Sequence, residues 1–186
     1  MSKAAKIIVL CEDTQQASFV RRFLMNRGWR EHDIYEVHRP GKGSGEQWVR
    51  ERFPAELRAY RAKCNHLRNG LIAMVDADTQ EVEGRVRGFD MACKEQSVGC
   101  KQPDERVMYV IPKRNIETWL AYLRGDTVDE QTEYPRYEYE SRCHKDVDRL
   151  DDMCKRGRLD GSPPPSLKRC CEEFEGFWRL IGEPSR

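Results

Sequence analysis

The chain has 186 residues, 38% of them hydrophobic and 35% charged, with a formal net charge of +1. That length suits one real core with decorations better than two domains. Its longest apolar runs cover about five residues, far short of the roughly 20 that span a bilayer, and MSKAAKIIVLCED lacks the apolar core and cleavage site of a secretory signal. The expectation is a cytoplasmic protein with no membrane span.

In chain order, residues 7–11 (IIVLC), 71–75 (LIAMV) and 107–111 (VMYVI) are short continuous apolar runs. Such runs suit strands buried on both faces, as in a parallel sheet. Residues 34–38 (IYEVH) alternate and read as a strand nearer an edge. Helical stripes lie between them. Ala17, Val20, Phe23 and Leu24 follow Thr14, a suitable N-cap. Trp48, Val49, Phe53, Leu57 and Tyr60 form a second stripe, which Pro54 is expected to break into two helices. Val82, Val86, Phe89 and Cys93 form a third. The resulting β-α-β-α-β-α-β-α order predicts an α/β sandwich with right-handed crossovers.

After Gly125 the character changes. GDTVDEQTEYPRYEYE is acidic, tyrosine-rich and irregular, and reads as a loop or lid. Two amphipathic helices follow, one through His144, Val147, Leu150 and Cys154, the other through Leu167, Cys170, Phe174 and Ile181, separated by Pro163–Pro165. Residues 1–124 are therefore read as one α/β domain, and 125–186 as an acidic loop and helical extension packed on it. The eight cysteines contain no CxxC, and Cys11 and Cys93 fall among apolar positions, so reduced buried thiols are expected. Cys143, His144, Cys154, Cys170 and Cys171 could gather around zinc, although their spacing is irregular beside the known closed zinc patterns.

Charge is unevenly spread. Between Arg39 and Arg68 eight Lys/Arg face three Glu, a balance of +5, and between Asp126 and Asp152 ten acids face four bases, a balance of −6. The first stretch suits a polyanionic partner and the second repels one. GKGSG (41–45) fails the P-loop pattern, and its glycines serve equally as an anion nest or as an ordinary turn. With Lys42, Arg50, Arg58 and Arg61 it reads as a phosphate-backbone track.

The sharpest feature is the way apolar runs drive into acids: IIVLC into Glu12 and Asp13, LIAMV into Asp76 and Asp78. Ligands of parallel sheets collect at the carboxyl ends of strands. If the two strands are neighbours, three carboxylates converge on one rim. They repel unless a cation neutralises them, and oxygen ligands favour Mg²⁺ or Mn²⁺. The same residues admit a capping reading, with Asp78 at the start of a helix near Thr79 and Asp13 or Thr14 at the start of the first helix. DADTQ differs from the DxDxT of haloacid-dehalogenase-type phosphatases in strand position and at Gln80, and nothing else supports a nucleotide-sugar site.

A glutamate closing the first strand and a DxD closing a later one resemble Toprim domains, the metal-binding catalytic domains of topoisomerases, primases and overcoming-lysogenization-defect nucleases. The resemblance covers residues 6–124. It is strongest to the small Toprim-like proteins of bacterial defence loci, through PGKGSGEQWV (40–49) and IPKRNIETWL (111–120). One departure stands out: the glycine usual after the glutamate is Asp13. The resemblance implies a Rossmann-like Toprim sandwich on a mainly parallel four-stranded sheet. Within it Glu12 is a metal ligand or general acid/base, and Asp76 and Asp78 are Mg²⁺ ligands. Glu117 either completes that site or favours a helix dipole, and Lys113 and Arg114 are placed to neutralise a phosphate. The expected activity is Mg²⁺-dependent cleavage of DNA or RNA in anti-phage defence, beside a partner ATPase. The alternative is a non-catalytic Toprim-like module that binds and regulates an ATPase or nucleic acid. Self-association is left open.

Overall fold

A computed structural model of the chain describes residues 6–38 and 44–182. Lys42 and most of the GKGSG turn lie outside the described residues. The elements run β1 (Lys6–Cys11), α1 (Thr14–Asn26), β2 (Ile34–His38), α2 (Gly45–Lys63), β3 (Asn69–Met74), α3 (Val82–Glu95), β4 (Val107–Val110), α4 (Ile116–Arg124), α5 (His144–Lys155) and α6 (Pro165–Ile181). Among the described residues the four strands form one all-parallel sheet in the order β2-β1-β3-β4. The fold is thus an α/β, Rossmann-like sandwich, and IYEVH forms an edge strand.

Alternation along the strands divides the core into two layers, because successive side chains leave a strand on opposite faces. Ile7, Val9, Cys11, Ile72, Met74, Met108 and Val110 point into a cluster with α1, α4, α5 and α6. Leu10, Leu71, Ala73, Val107 and Tyr109 point into a second cluster with α2 and α3. Helices on both faces explain why β1, β3 and β4 read as continuous apolar runs rather than alternating ones.

The C-terminal helices share the first cluster. A Cβ added at Gly70 of β3 would stand 2.7 Å from Phe177 Cζ and 2.8 Å from Ile181 Cδ1, so α6 lies directly on the sheet. Between Asp126 and Tyr139 the chain has neither helix nor strand, and it is pinned at both ends. Glu130 accepts from the Ser166 N–H at 2.8 Å, and Tyr137 donates to Asp146. Among the described residues no helix is long and apolar enough to cross a membrane.

Two local expectations are corrected. Pro54 does not divide its helix; α2 runs unbroken from Gly45 to Lys63. The proline removes one N–H from the ladder, but Val49, Phe53 and Leu57 on either side enter the same core and hold the helix together. Asp78 does not cap a helix near Thr79. The next helix begins at Val82 with Glu81 at the N-cap position, and Asp78 is instead bridged to Arg114.

Candidate functional site

The strand order places a topological switch point between β1 and β3. From β1 the chain leaves through α1 on one face toward β2; from β3 it leaves through α3 on the other face toward β4. The departures diverge at the carboxyl ends of these two strands, the place where α/β sheets bind ligands. Glu12 and Asp76 follow those ends, since Cys11 and Met74 are register partners.

Each acid is held by local structure. Asp13 is the N-cap of α1, its carboxylate accepting from the Gln16 N–H at 2.9 Å, while Gln16 Oε1 accepts from the Glu12 N–H at 3.0 Å. This reciprocal arrangement is close to a capping box and fixes the Glu12 backbone. Of the two capping candidates in this turn, Asp13 takes the role and Thr14 begins the helix. The Glu12 side chain reaches across to β3, where Oε1 accepts from the Asp76 N–H at 2.6 Å. On its other side lies the start of α2. A Cβ at Gly45 would meet Glu12 Cβ at 2.7 Å and Oε2 at 3.1 Å, so only glycine allows this approach.

The Asp76–Asp78 loop is braced against the loop after β4. Ala77 N–H donates to Pro112 O at 2.8 Å and Asp78 N–H to Arg114 O at 2.9 Å. Asp78 (φ 53°) and Arg114 (φ 67°) are both left-handed, a conformation Asp tolerates better than most residues. The two aspartates face different surroundings. Asp78 has a side chain 59% exposed, whereas Asp76 Oδ1 is fully buried and has no hydrogen-bond partner.

Burial and mutual repulsion act together on this rim. Burial pushes the Glu12 carboxyl up to about 7; the Asp76 N–H opposes the rise, and the Asp78 and Asp13 charges add to it. Burial likewise holds the Asp76 carboxyl well above the carboxylate range, reinforced by the charges of Glu12, Glu117, Asp13 and Asp78. Glu117, buried in the first turn of α4, is raised by burial and then by Asp13, with Arg136 opposing. The sequence-expected acids Glu12, Asp76, Asp78 and Glu117 therefore share one electrostatic site, and Asp13 belongs to it as well. A carboxyl poised near neutrality suits proton transfer.

The expected phosphate contacts are less well gathered. Arg50 on α2 stays near the rim, its Nε donating to Glu46 Oε1 at 3.0 Å. Arg61, also on α2, lies at the opposite end of the sheet, because α2 runs antiparallel to the strands. There it binds Glu105 at 2.6 Å and the carbonyl of Cys100 at 2.8 Å. Arg58 donates to Gln96 O at 2.9 Å. Lys113 is buried, its Nζ on Gln80 O at 2.5 Å and on Glu81 Oε1 at 2.7 Å. Arg114 pairs with Glu133 of the acidic loop at 2.6 Å, and Arg136 of that loop pairs with Asp13 at 3.0 Å. The acidic loop thus lies alongside the rim.

Sequence reading does not single out Arg85, yet its guanidinium sits among the acids. Nη2 donates to Asp78 Oδ2 at 2.7 Å, Nε to Asp76 O at 3.1 Å, and Nη1 pairs with Glu46 Oε1 at 3.2 Å. The one available signal is its place in the first turn of the helix after the Asp-x-Asp, where a side chain faces the rim that launches the helix.

Among the described residues, no three His, Cys, Asp or Glu side chains stand ready-made around a metal. Glu12 is turned to the Asp76 amide, and Asp78 is held by Arg85. The donor set nevertheless fits a hard divalent cation: it is all oxygen, and the partnerless Asp76 Oδ1 is an atom whose desolvation a cation offsets. In the C-terminal helices Cys154 Sγ and Cys171 Sγ lie 3.3 Å apart, and Cys143 Sγ contacts Ser18 Oγ at 3.7 Å. No family model, curated protein or solved structure matches the chain, so the Toprim resemblance rests on the residues quoted for it.

Proposed function

We propose that this chain is a Mg²⁺- or Mn²⁺-dependent, Toprim-like nuclease that hydrolyses phosphodiester bonds of DNA or RNA. The observation that carries this reading is the meeting of Glu12 and Asp76 at the β1/β3 switch point, with Asp76 Oδ1 buried and unpartnered. Asp76 and Asp78 would hold the cation, with Glu12 a third ligand or the group that moves a proton near neutral pH. A bound divalent cation supplies activation of the attacking oxygen and stabilisation of the leaving one. Glu117 adds to the negative field felt at Asp76. Arg50, at the edge of a cavity of about 230 Å³ beside Glu46, Gln80 and Gly84, is the basic group best placed for a substrate phosphate. A role in anti-phage defence and a partner ATPase rest on the resemblance over residues 6–124 alone.

The second reading is a non-catalytic module that binds and regulates an ATPase or nucleic acid. It draws on the internal pairing of Arg61, Lys113 and Arg85 and on Asp13 in place of the family's glycine. Cleavage assays on plasmid, single-stranded DNA and tRNA with and without Mn²⁺ decide between them. The nuclease reading expects metal-dependent products that Asp76→Asn removes. Tight nucleic-acid or ATPase binding with no products under any metal supports the module.

A further inference from the structure

We infer that Arg85 is a positioning residue that occupies the place of the divalent cation: it holds Asp78 in the metal-free protein and releases it when Glu12, Asp76 and Asp78 gather a metal. The inference rests on the metal reading of the rim.

Arg85 has the attributes of a resident counter-ion. Its side chain is only 11% exposed, and a guanidinium does not lose its proton in a protein. Its three anchors come from three places: the Asp78 carboxylate, the Asp76 carbonyl and Glu46 on α2. The fork therefore ties both aspartates of the Asp-x-Asp to one cation. Its charge is also felt at Glu12, which it lowers against the opposing effect of burial.

The arrangement is built to exchange. The Asp78 end of the pair is exposed, so breaking it costs little, and water satisfies whatever is released. The other end is not abandoned, because Glu46 Oε1 remains within reach of Arg85 Nη1. Glu46 Oε1 also accepts from Arg50 Nε at 3.0 Å, so two arginines converge on one carboxylate at the wall of the neighbouring groove. Asp76 Oδ1, by contrast, has no partner to give up. A cation arriving at Asp76 needs a second carboxylate, and Asp78 supplies both of its oxygens only when Oδ2 leaves Arg85 Nη2.

The test is Mn²⁺ titration of the purified full chain, followed by calorimetry and by the loss of the free-Mn²⁺ electron paramagnetic resonance signal. Arg85→Gln should bind Mn²⁺ about two- to fivefold more tightly than wild type, the range for releasing one partly exposed ion pair. Its thermal midpoint without metal should drop, and Mn²⁺ should raise that midpoint more than it raises the wild type's. Adding Asp78→Asn to Arg85→Gln should erase the gain. If Arg85→Gln does not fold, Arg85→Lys is measured, which keeps the charge and loses the fork; it should fall between wild type and the tighter value. Wild type binding Mn²⁺ while the Arg85 variants bind equally or more weakly overturns the inference and leaves the metal reading standing. Binding by an Arg85 variant alone supports the inference most strongly. Binding by none of them removes the metal reading, and the inference with it.

Discussion

The two ends of the sheet place part-buried carboxylates in opposite electrostatic states. At the amino ends of the strands, burial opposes ionisation of Glu105, but the hydrogen bonds from Arg61 and the Gln102 N–H outweigh it and hold the carboxyl below its ordinary value. At the carboxyl ends burial acts on Glu12, Asp76 and Glu117 in the same direction, and there it wins. The difference lies in the ratio of cations to anions. One fork, Arg61, serves one carboxylate, whereas Arg85 reaches Asp78 and Glu46 and leaves Asp76 Oδ1 with nothing. A rim that concentrates unneutralised acid is destabilised in the folded state, which is a common signature of a site kept for chemistry.

The largest expected effect breaks that contrast directly. Asp76→Asn should lower metal-dependent cleavage by more than the roughly 100-fold that disturbing a ligand's support typically costs. Its metal-free thermal midpoint should hold or rise, because burial and the neighbouring acids disfavour the carboxylate that the unfolded chain carries freely. A variant that unfolds would show that Asp76 supports the fold. At the other end, Arg61→Ala should cost about 2–3 kcal/mol in urea unfolding, less than the roughly 3–5 of a fully buried pair because Arg61 is partly exposed. Mn²⁺ affinity should not change. A matching loss of metal binding would mean the two ends are coupled.

The pH dependence sharpens the comparison. The folded Glu12 carboxyl titrates near 7 against an ordinary 4.5, so between those values the folded chain keeps a proton that the unfolded chain has lost. Metal-free stability therefore falls as pH rises through that window. The Glu105 contribution runs the other way, present above its ordinary value and lost as pH falls. Thermal midpoints of Glu12→Gln between about pH 4.5 and about 7 should fall less than those of wild type. An unchanged slope would show that Glu12 is not the titrating group.

Two smaller effects concern the surroundings of the rim. Gly45→Ala should displace Glu12, costing about 1–3 kcal/mol as an overpacked contact and raising the Mn²⁺ dissociation constant several-fold. An unchanged constant would remove Glu12 from the ligand set. Arg50→Ala should flatten the log–log salt dependence of nucleic-acid binding by about 0.7–0.9, the slope of one phosphate contact. Arg61→Ala should leave that slope unchanged.

The layered fold was legible because its signals are local and repeated. Apolar runs over 7–11, 71–75 and 107–111 became β1, β3 and β4 within a residue or two at each end, and the alternation of 34–38 marked the edge strand. Single-residue signals transferred less well. Pro54 looked like a helix break, yet the core on either side carried α2 through it. Asp78 had the chemistry of a cap but took a left-handed bridge to Arg114 instead. Arg61 sat in a basic stretch with Arg50, but an antiparallel helix of 19 residues sends its two ends to opposite rims. Charge counted along a sequence carries no information about which rim receives it.

Hydrophobic periodicity alone determined that this chain builds a parallel sheet with helices on both faces, and that acids follow the first and third strands, because burial patterns repeat at the spacing of each element. Tertiary structure decided that β1 and β3 are neighbours, that the switch point falls between them, and that Glu12 reaches the Asp76 amide. It alone placed Arg85 among the acids and left Asp76 Oδ1 without a partner. The first of these depends on strand order and on Glu12 meeting a backbone amide 64 residues away across the sheet, which no local pattern records. Arg85 lies only seven residues from Asp78, and it is the turn into α3 that brings it back to the rim.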